Sequence, residues 1–295
     1  MTLTRKEFIK KSLMTLVGIG FIPKIFSMSL KNKSVPIKKT LGNTGIKVTP
    51  LGFGASRTQE PSILNAAIEE GINFLDTGRS YANGQNEIMV GKELKGRREN
   101  FIIQSKMKLT LDDGNATPSD IREQMETSLR ESLSALQTDY IDVMLLHGVR
   151  EEEMISNQTI RKVFTEMKNK GLIRACGFSS HTNHVEVLRE ANKDHFFDVA
   201  MVPFNPFGGF KHSRSNWSTS WDQQALIKEM KTAHKNGTGI VAMKTCSGGK
   251  YAFNKKSEAS LPGAVQWVLS NNFVDTAAVA MANFNEIKSH TRVSL

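Results

Sequence analysis

INFLDTGRSYANGQNE (72–87), FIIQSKMK (101–108) and DYIDVMLLHGV (139–149) are the three runs that decide the fold. Each contains a short apolar stretch that delivers a polar residue at or just past its C-terminal end. The first delivers Asp76, with Tyr81 five residues on; the second delivers Lys106; the third delivers His147. Short apolar runs bounded by polar residues and glycine read as buried strands. In a parallel α/β barrel the C-terminal ends of the strands converge on one face, which holds the active site. Asp76, Tyr81, Lys106 and His147 would then meet there as a proton-donating set. A phenol ordinarily loses its proton near pH ~10, and a neighbouring lysine cation makes it a stronger acid. The carboxylate can hold the lysine, and the histidine can align a substrate oxygen.

Outward from this stretch, strand and helix patterns alternate along the chain. The clearest helix is TPSDIREQMETSLRESLSALQ (117–137), with a Thr/Ser cap region, acidic residues in its first half and apolar residues at Ile121, Met125, Leu129, Leu133 and Leu136. Helical patterns also cover 61–71, 86–96, 159–171, 183–193, 222–237 and 261–272. Strand-like runs TPLGFG, IRACGFS, FDVAMVPF, IVAMKT and TAAVAMA fall between them. IKKTLGNTGIKV (37–48) holds two short β-prone runs around Gly42-Asn43-Thr44-Gly45, a hairpin turn signal. The alternation predicts an α/β protein with a parallel sheet. Eight such units argue for closure into a barrel, although pattern alone does not separate a barrel from a doubly wound sheet.

GINFLDTGRSYANGQNE, the lysine ending FIIQSK, LLHG, and GFSSH (177–181) together resemble the aldo-keto reductase family, over residues 38–290. The resemblance implies a (β/α)8 TIM barrel with an N-terminal β-hairpin closing its floor. It also implies an enzyme that transfers hydride between NADP or NAD and an aldehyde, ketone or alcohol. Tyr81 would be the general acid, with Asp76, Lys106 and His147 around it. It further places Ser179 and Ser180 where the family usually has Ser-Asn against the nicotinamide carboxamide. Lys244, Thr245, Gly248 and Gly249 of KTCSGG (244–249) fall where the pyrophosphate lies, and Asn283 where the adenosine end sits beside a helix N-terminus. Glycines allow close backbone approach, and exposed N–H groups with a lysine suit an anion.

Several positions depart from the family pattern. Met201 stands for the glutamine common on the sixth strand, and Met243 for the aromatic that often stacks on nicotinamide. Glu286, Ser289 and His290 occupy the last helix where a basic residue and Glu-Asn are usual; a glutamate there repels a 2′-phosphate. The chain stops at Leu295, short of the loop that covers the substrate in many relatives, so an open substrate mouth is expected.

Composition sets the outer bounds. The chain has 295 residues, 39% hydrophobic and 23% charged, with a net charge of +10. Nine basic residues against Glu7 alone lie in the first 40 positions, so the remainder is close to neutral. No basic stripe with interleaved aromatics is present, which argues against nucleic-acid binding. Cys176 and Cys246 make no disulfide framework. His181 and His184 lie near each other without a carboxylate or cysteine to complete a metal site. No G-x-G-x-x-G follows a strand, which disfavours a Rossmann dehydrogenase.

Residues 1–34 have the basic, apolar and polar layout of an export signal or a disordered leader, with 35–295 forming the barrel. TRKEFIK (4–10) resembles a twin-arginine signal with Lys6 for the second arginine. The expectation is export to the periplasm through that machinery, with cytoplasmic or membrane-associated placement as the alternative. Two other functions stay open on this fold. One is a binding protein that holds nucleotide or sugar without turnover; the other is a non-redox hydrolase or lyase, since a fold does not fix its chemistry.

Overall fold

Eight parallel strands close on themselves in the computed structural model of the chain, which describes residues 37–110, 116–212, 217–246 and 260–292. The ring consists of β3 (Leu51–Gly54), β4 (Phe74–Asp76), β5 (Ile102–Met107), β6 (Ile141–His147), β7 (Ile173–Ser179), β8 (Val199–Pro203), β11 (Gly239–Met243) and β12 (Thr276–Ala280). The strands pair in that order, and β12 returns to β3 with Ala278 opposite Gly52. The (β/α)8 barrel read from the sequence is therefore the fold, and the parallel closure excludes the doubly wound alternative.

Two hairpins stand outside the ring. β1 (Lys39–Thr40) and β2 (Lys47–Val48) form the expected floor hairpin. Their turn drives Leu41, Ile46 and Val48 into the barrel interior, all essentially fully buried. Gly42 is required there. Its φ is +50°, and a Cβ would lie 2.3 Å from the Gly237 carbonyl oxygen. The second hairpin, β9 (Gly209–Lys211) with β10 (Ser218–Ser220), follows β8 at the opposite end and is absent from the sequence reading. Its strands are three residues each, too short to show a period, and they lie in a Gly- and Ser-rich run that reads as loop.

Helices cover the outside. The strongest sequence signal becomes the helix Pro118–Leu136. Thr117 accepts from Asp120 N–H, while Asp120 Oδ2 accepts from Thr117 N–H, so the capping box satisfies donors that the helix start leaves orphaned. Ile121, Met125, Leu129 and Leu136 are buried against the ring. Each such burial contributes about 1.5–3 kcal/mol.

Alternation along each strand separates two cores. Outward residues such as Ile103, Met107, Met144 and Leu146 pack under the helices. Inward residues fill the barrel: Phe74, Ile102, Val143, Leu145, Val199, Met201, Val241 and Met243. The same period of two carries the inward row on to Asp76 from Phe74, to Gln104 and Lys106 from Ile102, and to His147 from Leu145. On β4, β5 and β6 the inward polar residues thus lie in the upper layers, toward the C-terminal mouth.

Candidate active site

Asp76 and Lys106 meet at the ends of neighbouring strands. Lys106 Nζ donates to Asp76 Oδ1 at 2.5 Å and to the Thr77 carbonyl at 2.6 Å, and both side chains are almost fully buried. Gln104 Nε2 donates to the same carboxylate oxygen at 2.7 Å. The Tyr81 ring lies over the ammonium, 4.7 Å from Nζ to the ring centroid. Burial disfavours the charged form of Lys106; Asp76 first, with Tyr81, outweighs it and holds the lysine above its ordinary value. Burial is also the largest influence on Tyr81, pushing the phenol up, with Lys106 pulling down and Asp76 pushing up. The sequence reading gave Lys106 the upper hand over the phenol. Its pull is present, but desolvation wins and the phenol rests above its ordinary value.

The loop that presents Tyr81 is fixed by the polar residues around it. Thr77 Oγ1 bonds Asn86 Oδ1 at 2.7 Å, and Asn86 Nδ2 ties down the carbonyls of Ala55 and Thr58. Arg79 pairs with the buried Glu87 at 2.7 Å, and Ser105 Oγ donates to that carboxylate at 2.6 Å. Directly after Tyr81, Ala82, Asn83 and Gly84 have φ of +49°, +52° and +83°. For alanine this left-handed backbone costs roughly 1–2 kcal/mol, so strain is held where the acid is aimed. A Cβ at Gly84 would also strike the Arg79 guanidinium, 1.4 Å from Nη2.

His147 completes the set. Its ring meets Tyr81 edge-on at 5.9 Å between centroids, and Nδ1 lies 3.2 Å from Ser80 Oγ. Burial first, then the charges of Lys106, Lys108 and Lys244, push the imidazole down to about 4. At neutral pH it is uncharged. An uncharged ring has one donor and one acceptor nitrogen, so with Nδ1 accepting from Ser80 it can offer Nε2–H to a substrate oxygen. The four residues read from strand ends therefore do come together, with His147 uncharged at neutral pH.

Of the proposed cofactor residues, Ser179, Ser180, Lys244, Thr245 and Asn283 fall among the described residues. Ser179 and Ser180 are fully buried. Ser179 Oγ donates to the Leu146 carbonyl and accepts from Gly148 N–H; Ser180 Oγ donates to the Thr182 carbonyl. Lone pairs remain on both oxygens, which fits the two amide protons of a carboxamide. Thr245 is buried. Gly248 and Gly249 lie outside the described residues, as do residues 1–34. Asn283 caps the helix Phe284–Thr291 by accepting from Glu286 N–H, which leaves its amide protons for a ligand. Glu286 accepts from Ala282 N–H at 2.7 Å and stands 3.6 Å from Arg57 Nη2. Arg57 follows β3, at a distance in sequence that conceals it, and adds a cation beside Glu286.

The amine of Lys244 points toward the histidines of the mouth. Nζ meets His181 Nδ1, whose ring is 5.7 Å from that of His147. Burial and then Lys106 push the amine down to about 7. Ser80, Gln104 and His181 were missed in the sequence. Gln104 was legible: two residues before Lys106 on a strand, it shares the inward face. His181 was not, because only barrel closure brings it beside His147.

A family model described as the Aldo/keto reductase family matches residues 50–295, and the chain belongs to that family. It is similar to the uncharacterized oxidoreductase YqkF of Bacillus subtilis (strain 168), with 36% identity over 166 residues, 52% of this chain and 53% of the relative. It is similar to L-galactose dehydrogenase of Arabidopsis thaliana, with 30% identity over 156 residues, 48% of this chain and 47% of the relative. The chain thus spans about half the length of the curated relatives it matches. Among solved structures, the holo form of aldo-keto reductase AKR11C1 from Bacillus halodurans superposes with a TM-score of 0.69 at 24% identity, covering 87% of this chain and 90% of that one. An aldo/keto reductase from Klebsiella pneumoniae, in complex with NADP and acetate, gives 0.66 at 18% identity, covering 88% and 90%.

Proposed function

We propose that the protein is an NAD(P)-dependent oxidoreductase that reduces aldehydes or ketones to alcohols, or runs the reverse. The observation that carries this reading is the buried Asp76–Lys106 pair, 2.5 Å apart, beneath the Tyr81 ring with an uncharged His147 beside it. A bound nicotinamide cofactor supplies hydride to the carbonyl carbon. Tyr81 gives its phenolic proton to the carbonyl oxygen as electrons reach it, leaving a phenolate beside the Lys106 cation. His147 donates from Nε2 to the same oxygen and fixes its direction. Asp76 keeps Lys106 charged and in place. Ser179 and Ser180 would accept from the cofactor's carboxamide, Thr245 would lie along its pyrophosphate and Asn283 beside its adenosine end. The NADP held by the similar Klebsiella pneumoniae structure supports this choice of cofactor.

Fluorescence titration with NADPH and NADH tests the cofactor directly. Both are expected to bind, with a smaller preference for NADPH than is usual in the family, because Glu286 opposes a 2′-phosphate and Arg57 is partly engaged by it. A dissociation constant for NADH more than ~100-fold weaker than for NADPH, a gap of ~2.7 kcal/mol, would show that Arg57 or another cation dominates Glu286. Failure of both to bind would remove the reductase reading.

The leader supports a second element of the proposal: export of the folded protein with cofactor aboard. Arg5 and Lys6 precede Phe8 and an apolar run containing Gly18 and Gly20, features similar to a twin-arginine signal. Cofactor that binds only the native state adds stability to folded cargo. Cell fractionation is expected to find the full chain in the periplasm, and replacement of Arg5 and Lys6 by glutamine to retain it in the cytoplasm. Cytoplasmic protein in both strains would end the export proposal.

A further inference from the structure

Lys244 is held in an unusual setting. Its backbone is left-handed, with φ of +53°, and its carbonyl accepts from Asn205 Nδ2 at 3.0 Å. The same amide reaches the Gly209 carbonyl at 2.9 Å and so ties Lys244 to the β9–β10 hairpin. That hairpin brings Phe210 and Trp217 against the amine, with Nζ 5.1 and 5.4 Å from the two ring centroids. Aromatic faces stabilise a desolvated cation. Nζ also meets His181 Nδ1. Among the described residues no carboxylate pairs with this amine, and the charge that acts on it is another cation, Lys106. Lys108 and Arg150 add their positive fields at His147 and His181. A largely buried cation without an anion is costly unless a ligand supplies one.

The position of the amine selects which anion. It adjoins His181, one ring from His147, and His147 meets the phenol of Tyr81. In a nicotinamide cofactor a ribose separates the reacting ring from the pyrophosphate. In the function proposed above His147 points at the carbonyl oxygen, and the amine stands one imidazole beyond it, on His181. We propose that Lys244 anchors an anionic group of the substrate, so that the site takes carbonyl compounds carrying a carboxylate. This rests on the carbonyl-reductase function proposed above. The field at the mouth steers such substrates inward, and Phe210 and Trp217 shield the ion pair from water.

Initial rates with NADPH compare glyoxylate with acetaldehyde and succinic semialdehyde with butanal, each pair matched in carbon number. The wild type is expected to favour at least one oxo acid by ~10-fold or more in kcat/KM, the scale of one hydrogen bond to a charged group. In Lys244→Met that preference disappears while NADPH still binds. Succinate titrated calorimetrically into the NADP⁺-loaded protein reads the anchor without turnover: binding to the wild type that is lost in Lys244→Met supports it. Equal binding by both proteins, or none by the wild type, overturns it. A wild type that favours neither oxo acid over its matched aldehyde overturns the anchor and leaves carbonyl reduction standing. Succinate binding that depends on Lys244 in a protein reducing neither aldehyde removes the reductase function and leaves the anchor. Loss of NADPH affinity in Lys244→Met assigns the amine to the pyrophosphate and also overturns it.

Discussion

Tyr81→Phe is expected to lower kcat for aldehyde reduction by ~100-fold or more, the usual scale for losing a positioned acid. The substitution removes one oxygen and keeps the ring that lies 4.7 Å over Lys106 and edge-on to His147. No other group can replace the proton readily. His147 is uncharged at neutral pH because burial and three lysines hold it near 4. Lys106 is locked by Asp76 and the Thr77 carbonyl beneath the ring. The Phe variant should fold, because the turn behind Tyr81 is held by Thr77–Asn86 and Arg79–Glu87 and not by the phenol. NADPH affinity should survive. Steady-state rates with NADPH check this; full turnover in the variant would take the acid role away from Tyr81.

Lys106→Met is expected to change both the height and the shape of the pH–rate profile. Tyr81 must be protonated to act in reduction, so activity falls as pH rises through its pKa. Lys106 pulls that pKa down, against the larger effect of burial. Without the cation the phenol becomes a weaker acid. The plateau drops, and the alkaline limb moves to higher pH; in the oxidation direction, where phenolate is the base, the rising limb moves the same way. The variant also leaves Asp76 buried, with Gln104 as its remaining side-chain donor. Breaking one side of a buried pair costs about 3–5 kcal/mol, so a lower melting temperature should accompany the kinetic change. A profile of unchanged shape and height would reduce Lys106 to a structural role.

The parts of this molecule that were legible in the sequence share one property: they repeat a short period. Strand ends and amphipathic helices placed Asp76, Lys106 and His147 on one face, because inward residues recur every two positions along β4, β5 and β6. The helix Pro118–Leu136 announced itself through its Thr/Ser cap region and its apolar stripe. What stayed hidden was whatever depends on closure. His181 meets Lys244, and Arg57 meets Glu286, only because distant loops gather at the barrel mouth. The β9–β10 hairpin gave no signal, since three-residue strands cannot display alternation. The balance at Tyr81 was misjudged for a related reason. Spacing shows which charge will stand near a phenol, but it does not show how much water the fold removes from it.

Single-turnover transfer of deuterium tests the central claim most directly. The wild-type protein, loaded with NADPH deuterated at the transferable position, is mixed with an aldehyde panel that includes an oxo acid. Loss of the reduced cofactor's near-ultraviolet absorbance is followed beside mass analysis of the alcohol. The account predicts one deuterium on the former carbonyl carbon for each cofactor oxidised, with both signals suppressed together in Tyr81→Phe. Tight NADPH binding without deuterium transfer to any carbonyl compound would contradict it.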